Sequence, residues 1–457
     1  MNISVKEQHM IKIPRVAKRR EEDTRATLLE RRESLMGPNA PLFYASPVYF
    51  THGTGVWLFD DEGRRYLDAY NNVPHVGHSH PVVTEAVSRQ IGLLNTHSRY
   101  LSKVVLDYHE QLLSTFDIPN ARAVLTCTGS ESNELALRMA RYLTGKFGVI
   151  VTDYTYHGNT AAVSEASTAF QANPHALPVH IRSIRAPAAG VLKDSNGTLL
   201  SDEAAKSVYL NEVRSAIAHF RAHGIGTAAI LLDTIFSTDG LPNVIPGFVR
   251  EAADLVRSAG GMFIADEVQP GLGRCGESWW GYQLHGITPD IVTLGKPLGN
   301  GYPIAGVVAS AEIIGDFRRS VMYFNTFGAT PVACAAGSAV LEVIENEGLI
   351  ENARLTGALM RKMFAGLADA FDCIGETRGN GLFLGVDIVK DKRSSEPDSV
   401  MAKKVVEGMR SSGVLISKIG KFDNVLKIRP PMPFSADNAV LMTKTMSDVL
   451  SRVYANR

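Results

Sequence analysis

The chain has 457 residues, enough to bury a large hydrophobic core, and its length suggests two or three domains. Its 47 basic and 47 acidic side chains balance, so no charge excess points to nucleic acid or to a membrane surface. No apolar stretch approaches the length of a membrane span, and the four cysteines lack a C-x-x-C spacing, which favours a reducing, cytoplasmic setting. A small molecule is the expected partner.

In chain order, the predicted elements alternate between helices and short apolar strands. Residues 1–37 are charged and predict an N-terminal helical arm, and residues 38–80 predict the first part of a small domain. Residues 56–67 (VWLFDDEGRRYL) predict a β-hairpin that turns at Asp61-Glu62-Gly63.

Residues 81–330 predict a large cofactor-binding domain, and residues 331–457 predict the C-terminal part of the small domain. In the C-terminal part, a long helix from Pro331 precedes strands near 381–388 and 425–428. The pattern predicts an α/β fold: a mostly parallel sheet between helices, plus a smaller α+β domain from both termini. Strands of the large sheet are expected near Ala123, Val149, Ala228, Met262, Ile291 and Ala305.

Two apolar runs each end at a side chain with useful chemistry. The run from Gly261 ends at Asp266 and Glu267, and the run from Asp290 ends just before Lys296. Because ligands bind at the C-terminal strand ends of open α/β sheets, an amine and a carboxylate are expected to meet there. Pyridoxal phosphate (PLP) needs both, the amine for a Schiff base and the carboxylate to keep its pyridine nitrogen protonated. Taken singly, either residue also fits a helix cap or a solvated loop lysine.

Other strand ends offer groups for the rest of such a cofactor. Thr128, Gly129 and Ser130 form a small-residue turn between a strand and a helix, whose amides and hydroxyls can receive a phosphate. Tyr156 could stack on one face of the pyridine ring while Val268 packs on the other. In the turn 325–328, Thr326 offers a further hydroxyl to the phosphate.

From about Pro47 onward, the chain resembles the class III aminotransferases, which are PLP enzymes of fold type I. The resemblance implies that Lys296 binds the cofactor covalently, that Asp266 partners the pyridine nitrogen and that Gln269 lies near the ring hydroxyl. PLP is then the cofactor, with no metal ion. The matching motifs are TGSESNE (128–134), Tyr156-His157-Gly158, ADEVQ (265–269) with Gly271 and Gly273-Arg274, the Lys296 turn, and Asn325-Thr326-Phe327-Gly328.

The same resemblance implies an assembly and a set of cofactor contacts. In this family the threonine that matches Thr326 reaches the phosphate from the other subunit. A homodimer with active sites at the interface is therefore implied, with the arm 1–37 expected to lie over the partner, and a tetramer stays open. The implied cofactor-binding residues are Thr128, Gly129, Ser130, Tyr156, His157, Asp266, Val268, Gln269, Lys296 and Thr326.

Departures from the transaminase pattern point to one branch of the family. Phe236 stands where many transaminases carry a glutamine, and Lys427 stands where they hold a keto-acid carboxylate with arginine. Lysine is a point charge and cannot form the planar bidentate fork of arginine. The chain resembles the ethanolamine-phosphate phospho-lyases and their 5-phosphohydroxylysine relatives at residues 71–73, 75–78, 94–96, 98–101, 323–328, 424–427 and 430–432.

This branch implies β-elimination of phosphate from O-phosphoethanolamine, giving acetaldehyde, ammonia and phosphate, with Lys296 as general base. The candidate cations for the substrate phosphate are Arg99, Lys427 and Arg429, in that order. In a strand, Lys427 and Arg429 would share one face. Arg429 could instead extend to solvent, and each cation could be a structural ion-pair partner. Asn72 and Tyr70 are expected to line the same pocket.

Two other functions stay open. A class III ω-amino acid or alanine-glyoxylate transaminase would use the same Lys296 chemistry and differ in how it holds the substrate. A catalytically silent PLP-binding dimer, acting as a carrier or regulatory subunit, would bind the cofactor without turnover.

Overall fold

The computed structural model describes residues 24–170 and 177–454, in two compact units that divide after Tyr49. The first unit contains one helix, α1 (Arg25–Met36), which begins after Thr24 and ends at Gly37. The Thr24 hydroxyl caps the helix by accepting a hydrogen bond from the Thr27 amide. The predicted arm ends at the same place, but its residues 1–23 lie outside the described residues, and its role over a partner stays a prediction.

The second unit alternates helices with strands and also contains short 3-10 helices at Thr168–Phe170, Gly281–His285 and Lys296–Gly299. The elements are β1 (Phe50–Thr54), β2 (Trp57–Asp60), β3 (Arg65–Asp68), α2 (Pro81–Leu93), α3 (Lys103–Leu113), β4 (Ala121–Thr126), α4 (Gly129–Thr144), β5 (Gly148–Thr152), α5 (Ala161–Glu165), β6 (Ile181–Ile184), α6 (Asp202–Ala222), β7 (Thr227–Asp233), α7 (Phe248–Ser258), β8 (Met262–Asp266), β9 (Ile291–Leu294), β10 (Ala305–Ser310), α8 (Ala311–Ser320), α9 (Pro331–Asn346), α10 (Leu349–Ala370), β11 (Ile374–Asn380), β12 (Phe383–Ile388), α11 (Ser399–Ser411), β13 (Val414–Leu415), β14 (Ser417–Ile419), β15 (Val425–Ile428) and α12 (Ala436–Tyr454).

A seven-stranded sheet in the order β4-β10-β9-β8-β7-β5-β6 forms the centre of the second unit. Strand β10 runs antiparallel to both of its neighbours, and the other pairs are parallel. All the strands predicted for this sheet are confirmed, and β6 is an addition that the sequence reading missed. Strands β5 and β7 are buried along their whole length, as expected where helices cover both faces of a parallel sheet.

Two smaller sheets of four strands each accompany the large one, in the orders β1-β2-β3-β13 and β11-β12-β15-β14. The predicted hairpin is confirmed: β2 and β3 pair antiparallel, and the Asp60 carboxylate accepts the amides of Glu62 and Arg64 in the turn. Strand β13 pairs with β3, so chain from both ends contributes to one small sheet. The predicted domain bounds stay a prediction, although α2 and α9 begin at two of them.

The register of the parallel strands determines where polar side chains gather. Asp233, at the end of β7, lies opposite Asp266, at the end of β8, which in turn lies opposite Thr293 in β9. Lys296 follows β9 after one short turn. The two carboxylates and the amine therefore lie at the same edge of the sheet. Within the described residues, no helix has the length and apolar character that crossing a lipid bilayer requires.

Candidate active site

A cavity of about 330 Å³ opens at the C-terminal ends of the central strands. Asp266 and Lys296 line it, as predicted for the strand ends, and Asp233 lines it as well. The predicted residues that also line it are Thr128, Gly129, Ser130, Tyr156, His157, Val268 and Gln269. The structure therefore brings together nearly all of the predicted cofactor residues, and their individual roles stay a prediction.

The Asp266 carboxylate is held by donors from three parts of the chain. Its Oδ2 accepts hydrogen bonds from Asn133 Nδ2 at 2.9 Å and His157 Nδ1 at 2.6 Å, and its Oδ1 accepts from the Val268 amide at 3.0 Å. These partners are themselves fixed, since Thr293 Oγ1 donates to Asn133 Oδ1 and Thr155 Oγ1 bonds His157 Nε2. The carboxylate is thus oriented before any ligand binds.

Lys296 follows Gly295 and has a left-handed backbone, with φ at 42°, which side chains rarely adopt. Burial first, and the nearby Arg429 charge second, lower the pKa of its amine to about 8, against the opposing effects of Asp266 and Asp233. A large fraction of the amine is therefore neutral and nucleophilic slightly above neutral pH.

The N-terminus of α4 packs closely against the segments that carry Asp266 and Lys296. Thr128 forms a capping box with Glu131, and the helix starts at Gly129. A Cβ on Gly129 would lie 2.9 Å from Val268 Cγ2, and one on Gly295 would lie 3.0 Å from the Gly129 Cα, so neither position has room for a larger side chain. The first amides of a helix have no acceptor within the helix, so this end of α4 suits an anionic group.

Lys427 and Arg429 share one face, as predicted, and both are buried. Lys427 Nζ donates to Gln269 Oε1 at 3.3 Å, and the Arg429 guanidinium donates to the same oxygen. Arg429 Nε also donates to the Tyr70 carbonyl at 3.4 Å. Neither cation forms an ion pair within residues 24–170 and 177–454, and Arg429 does not extend to solvent. For Arg429, the alternatives of a structural ion pair and of a solvent-exposed side chain are therefore wrong.

Electrostatics at this cation pair are unfavourable without an anion. Burial, then the charges of Arg429 and Lys296, holds the pKa of Lys427 well below its usual range. Burial likewise lowers the pKa of Arg429. Gln269 lines the cavity, so the two cations lie directly behind its wall.

Two predicted substrate residues lie beside the cavity rather than on its wall. Asp68 Oδ1 accepts the amides of Tyr70 and Asn71 in a turn after β3, and this turn brings Val73 to the cavity instead of Tyr70 or Asn72. Tyr70 contacts Arg429, with its ring centre 5.3 Å from the guanidinium carbon. Asn72 is buried, and neither polar atom of its side-chain amide has a hydrogen-bond partner among the described residues. Whether either residue contacts substrate stays a prediction.

Arg99 and Thr326 do not line the cavity of their own chain, as far as the described residues go. The Arg99 guanidinium carbon lies 3.7 Å from the centre of the Phe324 ring. Thr326 is exposed in a turn where Asn325 Oδ1 accepts the amides of Phe327 and Gly328. Both are thus on the same exposed surface, and their predicted roles stay predictions.

The sequence analysis did not predict several residues of the site. Asp233 lines the cavity, and burial, then the Asp266 charge, raises its pKa. The signal was present, because Asp233 ends an apolar strand just as Asp266 does. Phe236, the residue that departs from the transaminase pattern, is fully buried with φ at 54°, and Ser237 contacts Gln269 instead.

Glu267, the neighbour of Asp266, has a structural role. Its carboxylate accepts hydrogen bonds from Thr234 Oγ1 and from the amides of Gly281 and Tyr282, at 2.6 to 2.8 Å. Burial raises its pKa to about 7. It therefore anchors the turn 281–285 to the sheet. By accepting the first amides of that turn, it acts much like the helix cap that is the alternative for the Asp-Glu pair.

Known proteins match the chain over nearly its whole length. The model of the class III aminotransferase family matches residues 43–450. An alanine-glyoxylate aminotransferase 2-like protein of Drosophila melanogaster is 37% identical over 92% of this chain and 86% of its own. The ethanolamine-phosphate phospho-lyase homolog 1 of Caenorhabditis elegans is 35% identical over 96% of both chains.

A solved structure gives the same picture. A phospholyase from Arthrobacter in complex with phosphoethanolamine superposes with a TM-score of 0.89 and 43% identity, over 93% of this chain and 99% of its own. Fold, motifs and relatives agree, and the chain belongs to the class III aminotransferases, a PLP-dependent family of fold type I.

Proposed function

We propose that this protein is a PLP-dependent phospho-lyase that eliminates phosphate from O-phosphoethanolamine, giving acetaldehyde, ammonia and phosphate. The observation that carries the proposal is the buried pair Lys427 and Arg429, which faces one neutral oxygen beside the cavity. A phosphate dianion balances two positive charges, whereas a carboxylate balances one. The phospholyase that shares 43% identity was solved with phosphoethanolamine, which supports the same substrate here.

The cavity residues fit PLP. The α4 N-terminus, with Thr128, Gly129 and Ser130, would receive the cofactor phosphate, and Asp266 would partner the pyridine nitrogen. Asp266 suits this role because His157 and Asn133 already hold its carboxylate in place. When bound, PLP draws electrons away from the carbon that carries the substrate amine and so weakens its C–H bond. Tyr156 and Val268 would contact the two faces of the ring.

The chain's own side chains then divide the work of the elimination. Lys296 takes the proton from the carbon that carries the amine. The electron pair of that C–H bond forms a double bond to the next carbon, and the C–O bond breaks with its pair going to phosphate. Lys427 and Arg429 stabilise the charge that develops on the leaving phosphate. Addition of water to the released enamine gives acetaldehyde and ammonia.

A class III transaminase is the second candidate, favoured by the 37% identity to the alanine-glyoxylate aminotransferase 2-like protein. It would use Lys296 in the same way but return the proton instead of expelling a leaving group. A silent PLP-binding dimer is disfavoured because Lys296 lies on the cavity wall with a lowered pKa.

We further propose a homodimer in which Arg99 reaches the partner's cavity and Thr326 the partner's cofactor phosphate. Large apolar side chains around both residues are exposed in the single chain: Tyr100, Leu101, Met322 and Phe327. Contiguous apolar surface of this kind marks a protein interface. A second copy of the chain would cover it and bring both polar side chains to a cavity.

The first prediction tests the reaction itself. PLP-loaded enzyme with O-phosphoethanolamine and no keto acid should release phosphate and acetaldehyde in equal amounts, because elimination needs no amino acceptor. A colorimetric phosphate assay and a coupled aldehyde assay measure the two products. Formation of pyridoxamine phosphate from alanine or another amine, without phosphate release, would assign the protein to the transaminases.

The second prediction concerns the proton on Lys296. Cofactor-free enzyme should bind PLP covalently at a rate that rises with pH and levels off above about 8, since the neutral amine is the reactive form. Stopped-flow absorbance gives this profile. Arg429→Met should move its midpoint to higher pH by removing a neighbouring positive charge. A midpoint near the ordinary pKa of lysine would contradict the lowered value.

The third prediction concerns the buried cations. Lys427→Met and Arg429→Met should each lower kcat/KM for phosphate release by about 10²- to 10³-fold, the usual effect of losing one group that stabilises a developing negative charge. Lys403→Met, on the exposed face of α11, is the matched control and should change nothing. If all three variants retain wild-type rates with normal PLP absorbance, the cation pair does not hold the phosphate.

The fourth prediction tests the subunit arrangement. Arg99→Ala should cripple phosphate release while leaving PLP absorbance intact, and Lys296→Ala should be inactive. After subunit exchange, a hybrid of the two variants has one site with neither change, provided that Arg99 acts across the interface. Mixed subunits should then recover about a quarter of wild-type activity, as statistical pairing of a two-fold dimer requires. No recovery would place Arg99 in its own subunit's site, or outside the site.

A further inference from the structure

Both polar atoms of the Gln269 side-chain amide form hydrogen bonds, and these bonds fix the orientation of the amide. Its Oε1 accepts from Lys427 and Arg429, and its Nε2 donates to Ser237 Oγ at 2.6 Å. Ser237 Oγ in turn donates to the Asp233 carboxylate, and the Ser237 amide donates to the same oxygen, Oδ2. Gln269, Ser237, Asp233 and both cations are all buried.

The direction of this chain follows from proton counting. A serine hydroxyl carries one proton, and here Asp233 accepts it, so Ser237 Oγ can only accept from Gln269. The amide must therefore present its NH₂ to Ser237 and its oxygen to the cations. The opposite orientation would point N–H groups at two positive charges. Asp233 and Ser237 thus determine which end of Gln269 meets Lys427 and Arg429.

One neutral oxygen is a poor partner for two buried cations. An amide dipole compensates only part of their charge, and an anion with several oxygens compensates more. Gln269 and Asp233 of this network line the cavity, and the two cations lie behind Gln269. An entering anion would meet it before it meets either cation.

We propose that Gln269 Oε1 occupies the position of a substrate phosphate oxygen until substrate binds, and that Ser237 and Asp233 are positioning residues that hold it there. The phosphate displaces the amide and takes over both cations. This proposal rests on the proposed function, because it assigns the anion as the substrate's phosphate. It makes the network a specificity device, since a ligand must offer more negative charge than the amide does in order to displace it.

Removing the amide oxygen should strengthen phosphate binding if Gln269 is a placeholder and weaken it if Gln269 is a direct ligand of the phosphate. In PLP-loaded enzyme, Gln269→Met should bind inorganic phosphate about 3- to 10-fold tighter, because the unliganded cations lose their partner and the anion no longer competes with it. Gln269→Glu should bind phosphate at least about 30-fold more weakly, since a carboxylate pairs with the cations more strongly than an amide oxygen does and repels the entering anion. Isothermal titration calorimetry gives the dissociation constants, and PLP absorbance verifies that each variant is folded and loaded.

Ser237→Ala tests the positioning role. It should tighten phosphate binding in the same direction as Gln269→Met but less, and should lower KM for O-phosphoethanolamine more than it changes kcat. If Ser237 acts through Gln269, the double variant should bind phosphate as Gln269→Met alone does. Ser278→Ala, whose hydroxyl donates to the Trp280 carbonyl, is the control and should match wild type.

Equal weakening of phosphate binding in Gln269→Met and Gln269→Glu would overturn the proposal, because Gln269 would then be a direct ligand of the anion. Unchanged constants in both would remove Gln269 from the anion site. If the wild-type enzyme nevertheless releases phosphate from O-phosphoethanolamine, either result overturns only the role of Gln269 and leaves the proposed function intact. If the dissociation constants fall in the expected order but the wild-type enzyme releases no phosphate from O-phosphoethanolamine, Gln269 is still a placeholder for an anion, and the proposed substrate is wrong.

Discussion

The register of three parallel strands is the constraint on which the rest of the site depends. It sets Asp233, Asp266 and Thr293 side by side, and it brings Lys296 to the same edge one short turn later. A slip of one residue in β8 would turn the Asp266 side chain to the other face of the sheet. In the observed register the Asp266 carboxylate meets Asn133, His157 and the Val268 amide, so these hydrogen bonds favour this position of the reactive groups.

Charge balance is the second level of organisation. The cavity and its wall bring together Lys296, Lys427 and Arg429 with Asp233 and Asp266, and Asp68 also acts on Arg429. Burial lowers the pKa of all three basic groups and raises the pKa of Asp233. The Arg429 charge adds to the effect of burial on Lys296, so a cation proposed to hold the substrate phosphate also helps to keep the amine neutral.

Much of this site follows from local sequence, and the rest does not. An apolar run that ends in a carboxylate identifies Asp266, and a two-residue spacing puts Lys427 and Arg429 on one face. Strand β6 escaped because half of its four residues are polar and only partly buried, so its pattern is weak. The contact of Gln269 with Arg429 joins residues 160 positions apart, and no periodicity predicts it. Arg99, the first of the candidate cations, lies on an exposed surface against Phe324, away from the cavity of its own chain. The local sequence around Arg99 cannot show whether a second subunit covers that surface.

Relatives with the same family pattern carry the names of transaminases and of phospho-lyases, so the lysine and the carboxylate cannot decide between the two reactions. Once the proton has left the substrate, its return competes with the departure of a group on the neighbouring carbon. Stabilising negative charge on that group lowers the barrier for its departure and leaves the proton return unchanged. In the proposed mechanism the reaction is therefore decided behind Gln269, by two cations that lie apart from the carbon from which Lys296 would take the proton.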